Sequence, residues 1–97
     1  MKIIIVSRHR PLVEWLNKTG IFGDVIEHVA DPEILDGADV FGILPLHLAA
    51  RCASVTEVSM PDLTLEQRQK NAKGDMSVSE MDAAGAHLRT FVVKEVY

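Results

Sequence analysis

Along this chain the hydrophobic positions switch repeatedly between unbroken runs and helical stripes. The first run, Ile3-Ile4-Ile5-Val6, is all β-branched and ends abruptly at Ser7-Arg8-His9. Such a run predicts a strand buried on both faces, with the polar triplet where the chain leaves the sheet. Pro11 suits the first turn of a helix because its missing N–H has no partner there. Leu12, Val13, Trp15 and Leu16 give that helix an apolar stripe, with Glu14, Asn17 and Lys18 outward and Gly20 as its stop.

Asp24 to Val29 predicts a second strand, and Asp31-Pro32-Glu33 a turn or one-turn helix ending at Gly37. Asp39 to Leu44 predicts a third, central strand. Pro45 ends it and opens a helix from Leu46 to about Ala53, in which His47 and Arg51 share one face. Ser54 to Met60 alternates as a half-buried strand. Pro61 to Asp75 has no apolar stripe and predicts a surface loop with some helix. Ser79 and Asp82 mark a further helix, with Met81, Ala84 and Leu88 on one face, and Phe91 to Tyr97 a closing edge strand. Strands alternating with helices imply a mainly parallel sheet of about five strands with right-handed crossovers. The expectation is a small Rossmann-like, three-layer α/β fold, with residues 1–97 as a single domain.

Composition narrows the partners more than the fold. Apolar residues at 47% and charged residues at 25% suffice for a single core and exclude wholesale disorder. No apolar run is long enough to span a membrane. The opening apolar run is too short for a secretory signal and meets Ser-Arg-His-Arg at once, so the expectation is a cytoplasmic protein. Cys52 is the single cysteine and reads as a small buried hydrophobe. A net charge of −4 argues against binding long DNA or RNA, whose affinity comes from counterion release by a basic face. A polyanion must then be held locally, and Arg8-His9-Arg10 is the densest basic cluster.

In open α/β sheets ligands bind beyond the carboxyl ends of the strands, where the strand order reverses. With the first and third strands central, that point brings together Ser7-Arg8-His9-Arg10 and Pro45-Leu46-His47. Two helix starts there would aim amides at an anion. Arg8 reads as its anchor and Ser7 as a phosphate binder; Arg10 reads equally well as a solvated surface charge. His9 and His47 are both candidates to move a proton near neutral pH, and His47 reads equally as a local hydrogen-bonder. His28 and His87 read as structural or exposed. There is no His-Glu-x-x-His, no cysteine pair and no glycine-rich fingerprint, so neither a metal nor a cofactor is expected.

Four segments carry a resemblance: Val6-Ser7-Arg8-His9, Glu14-Trp15, Gly42-Ile43-Leu44-Pro45-Leu46-His47-Leu48-Ala49-Ala50 and Ala84-Gly85-Ala86-His87-Leu88. Together they resemble the sixteenth Csx family of small CRISPR-associated proteins, which accompany type III systems. Two departures stand out: Arg10-Pro11-Leu12 replaces the family's usual Pro-Gly-Ala, and Gln67 to Asp75 fits the pattern poorly. The resemblance implies a Rossmann-like homodimer related to the CARF sensors of cyclic oligoadenylate. It implies a ring nuclease that binds and linearises cyclic tetra-adenylate, with Ser7, Arg8, His9 and Pro45 to His47 in the ligand site. Metal-independent attack by the ribose 2′-hydroxyl would leave a 2′,3′-cyclic phosphate, with Arg8 stabilising charge and His9 or His47 moving protons. A non-catalytic sponge for the same ring is the alternative.

Overall fold

The computed structural model describes residues 2–97 and begins with the buried strand. The elements in chain order are β1 (Ile3–Val6), α1 (Arg10–Lys18), β2 (Asp24–Ile26), a 3₁₀ turn (Pro32–Leu35), β3 (Asp39–Gly42), α2 (Leu46–Ala49), β4 (Ser54–Ser59), α3 (Leu65–Ala72), α4 (Val78–Ala83) and β5 (His87–Phe91). The strands form one sheet in the order β2-β1-β3-β4-β5. The first four are mutually parallel and β5 runs antiparallel to β4. This is an α/β sheet of Rossmann-like character, and its order reverses between β1 and β3.

Period-two alternation in β1 sends Ile4 to one face and Ile5 to the other, both essentially without solvent contact. Ile4 packs with Leu35, Val40, Ala49 and Val55 beneath the 3₁₀ turn and α2. Ile5 packs with Trp15, Leu16, Met76, Met81 and Ala84 beneath α1 and α4. Burying a large apolar side chain is worth about 1.5–3 kcal/mol, so these two layers dominate the stability of the sheet. α1 and α4 are also joined by polar contacts. The Trp15 indole donates to Asp82 at 2.8 Å, and Lys18 Nζ donates to its other carboxylate oxygen at 2.6 Å.

Several boundaries differ from the sequence reading. α2 stops at Ala49 rather than near Ala53 because the chain is already turning into β4: Ala53 donates to Ala38 O and Gly37 donates to Arg51 O. Arg51 accordingly leaves the helix face shared with His47 and forms a two-pronged bond with Asp36. α4 starts after Ser77, whose hydroxyl and Glu80 form a reciprocal cap, rather than at Ser79. The last strand lies four residues early, at His87–Phe91, because Ala86 donates back to Met81 and releases the chain at once. His87 and Leu88 are therefore strand residues, and the Thr56 and Thr90 hydroxyls meet across β4 and β5 at 2.8 Å. β2 and β3 are shorter than expected, ending at Ile26 and Gly42. Cys52 is buried, with Sγ 3.5 Å from Leu48 O.

Cations hydrogen-bonded to Asp36, Glu80 and Asp82 hold all three carboxyls below their ordinary values, through Arg51, Lys70 and Lys18 respectively. Groups depressed in this way stabilise the fold fully above their unfolded values of about 3.9–4.3. Their contribution disappears as pH falls through the lower folded values. Urea midpoints should therefore fall as pH drops below about 4. Asp82→Asn should lower the midpoint at neutral pH and flatten the fall; an unchanged acid slope would remove Asp82 from this role.

Candidate functional site

The chain leaves β1 through a tight polar turn. The Ser7 amide donates to Ile26 O at 3.0 Å, extending the β1–β2 pairing by one residue. The Ser7 hydroxyl accepts the His9 amide at 3.0 Å, so it shapes the turn that starts α1. His9 is the N-cap residue, and no side chain caps the helix. Pro11 has no N–H and the Leu12 amide donates to His9 O at 3.1 Å, so in the first turn the Arg10 amide is the one left to meet an anion or water.

Across from this turn, β3 ends at Gly42, whose φ is +141°. A Cβ there would collide with the Val6 carbonyl, so only glycine lets β3 end this close to β1. Between the two strand ends lies a pocket of about 410 Å³. Leu12, Val58, Met60, Met76 and Met81 contribute apolar lining, and Ser7, Arg8, His9, Glu27 and Asn71 contribute polar lining. The volume is in the range of small-molecule clefts.

The expected residues are divided by the structure. Ser7, Arg8 and His9 line this pocket, whereas Arg10, Pro45, Leu46 and His47 do not. Arg10 is turned to solvent, its side chain 89% exposed and 3.4 Å from Glu14 one helical turn on. Leu46 lines a neighbouring groove with Ile43, Phe91 and Val92, and His47 is exposed on α2. α2 is a single turn of four residues, so the strong helix dipole expected at Pro45 to His47 is not available. Arg8 is exposed and has no ion-pair partner among the described residues. Its guanidinium charge is free for a ligand. Among the described residues no three metal-ligating side chains converge.

Sequence reasoning missed the other two walls. Glu27 was placed inside a longer second strand; because β2 ends at Ile26, Glu27 leaves the sheet beside Ser7 and Arg8. The third wall comes from the segment read as a surface loop with some helix. α3 is capped reciprocally by Thr64 and Gln67, a spacing visible in the sequence, but it buries no residue of its own. It is held at its far end by the Lys70–Glu80 pair at 2.9 Å and by the buried Met76. Gly74, at φ +74°, lies so close to the His9 ring that a Cβ would collide with it.

Over residues 4–94 the chain matches the family model described as "Putative CRISPR-associated protein (Cas_VVA1548)". No curated protein and no solved structure matches it.

The His9–Gly74 contact couples the α3 wall to the β1 exit. Gly74→Ala adds both a strained left-handed backbone and a clash with the ring, so it should unseat α3 while sparing the sheet. Hydrogen exchange should speed up in residues 65–75 and stay slow in β1 and β3. Unchanged exchange in α3 would show that the contact does not hold the wall.

Proposed function

We propose that this chain, which belongs to the CRISPR-associated family matched over residues 4–94, is a ring nuclease of type III CRISPR defence. It binds cyclic tetra-adenylate in the cytoplasm and linearises it, switching the antiviral response off. The observation that carries this reading is the open pocket at the β1/β3 reversal with the unpaired Arg8 on its rim. In a protein of net charge −4, that guanidinium and the uncapped start of α1 form a local anion site. The apolar, methionine-bearing interior suits a nucleobase.

Cleavage of this kind needs no protein nucleophile and no metal. The ribose 2′-hydroxyl attacks the adjacent phosphorus, and the 5′-oxygen departs, leaving a 2′,3′-cyclic phosphate. The protein holds the phosphodiester in line and stabilises the charge that develops on it. Arg8 serves that charge. The proton-transfer role falls to His9 rather than His47, because His9 lines the pocket. A pocket for one nucleotide meets a ring of four through a homodimer, whose two-fold axis presents two identical sites. Exposed Ile43 and Leu46, beside the pocket, supply apolar surface for the second copy.

Incubation with cyclic tetra-adenylate in EDTA, followed by chromatography, should yield linear products ending in 2′,3′-cyclic phosphate. Arg8→Ala should weaken binding about 10- to 100-fold, the range of one charge-assisted hydrogen bond. A ring that binds but stays intact would make the protein a sponge for the messenger. A ring that does not bind would overturn both readings.

A further inference from the structure

Glu27 poses an electrostatic puzzle at a site built for phosphate. Glu27 lines the same pocket as Arg8 and His9, and among the described residues these three are the only ionisable ones in that lining. It has no ion-pair partner among the described residues. It is exposed and, among the described residues, takes no part in a side-chain hydrogen bond that would hold the fold. The backbone fixes its place: Val6 pairs with Ile26 and Ile26 O accepts the Ser7 amide at 3.0 Å, so Glu27 leaves β2 beside Ser7, one residue before Arg8.

A carboxylate next to a phosphate raises the cost of binding through like-charge repulsion. It becomes useful only if it meets a proton donor on the ligand, because an ionised carboxylate can accept hydrogen bonds but cannot donate them. A ribonucleotide phosphodiester carries such a donor beside the scissile bond, the 2′-hydroxyl. A carboxylate base, an imidazolium acid and a guanidinium are the three groups that 2′-hydroxyl attack calls for.

Building on the ring-nuclease reading, we infer that Glu27 is the general base of the cleavage step, with His9 its general acid. The Glu27 carboxylate takes the 2′-hydroxyl proton as the 2′-oxygen bonds to phosphorus. The bond from phosphorus to the 5′-oxygen breaks, and the His9 imidazolium gives its proton to that departing oxygen. Arg8 faces the non-bridging oxygens. One proton has entered at Glu27 and one has left at His9, and exchange with water resets both. The linear product ends in a 2′,3′-cyclic phosphate and a 5′-hydroxyl.

The assignment separates rate from affinity. Glu27→Gln keeps size and shape but removes both the base and the repulsion. Single-turnover cleavage of cyclic tetra-adenylate should fall about 10²–10⁴-fold, while binding stays equal or tightens. In Glu27→Ala, added formate should restore part of the rate, which a structural role would not allow. Matching wild-type and Glu27→Gln melting curves would confirm that the fold is intact. Wild-type cleavage with an unimpaired Glu27→Gln rate would overturn the assignment and leave the ring-nuclease reading standing. Binding lost in step with rate would also overturn it, making Glu27 a group that holds the adenine amino group or a sugar hydroxyl. A wild-type protein that leaves the ring intact would overturn the ring-nuclease reading itself, and this assignment with it.

Discussion

β1 is paired on both edges, with β2 through Ile4 to Val6 and with β3 through Ile3 to Val6. It is covered on both faces through Ile4 and Ile5. A strand enclosed on four sides can carry polar groups only where it ends. Ser7, Arg8 and His9 stand at that end because nowhere else along the strand would tolerate them. The neighbouring strands stop at the same level: β2 at Ile26, and β3 at Gly42, whose missing Cβ allows the close approach to Val6. The pocket is therefore a consequence of sheet geometry, and its polar lining comes from the first residues beyond two strand ends, β1 and β2, and from α3.

The two sides of that pocket are held differently. The β1 turn is rigidly specified by backbone hydrogen bonds and by the Ser7 hydroxyl. α3 buries nothing and is fastened mainly at its C-terminal end, through Lys70 to Glu80, Met76 and the His9–Gly74 contact. Exposed ion pairs of this type contribute little on their own. Local opening free energy is accordingly lower at α3 than in β1 and β3. A ligand that entered beneath α3 would meet a fixed floor and a loosely attached wall.

Much of this was legible in the residues alone. The four-residue β-branched run, the central third strand and the reversal between them all follow from burial patterns that parallel sheets impose. What was not legible lay at element ends. Gly85 and Ala86 let the chain leave α4 and enter β5 without a loop, so a strand was expected four residues late. Helix α2 reads as longer than it is because Leu48, Ala49 and Cys52 serve the core from a turn as well as they would from a helix. That error mattered for function: it lent Pro45 to His47 a dipole that one turn does not provide. Glu27 was hidden for the opposite reason, by a strand drawn three residues too long. Asn71 and Gly74 reach the pocket through tertiary packing that no local pattern encodes.

The proposed function puts cyclic tetra-adenylate where β1 leaves the sheet. Titrating the isotope-labelled protein with the ring while recording amide NMR spectra tests it most directly. Shifts centred on Ser7, Arg8, His9, Glu27, Gly42 and residues 71–74 are the predicted result. Shifts centred on the Leu44, Leu46 and Phe91 groove with Ser7 to His9 unmoved, or no shifts at all, would contradict it.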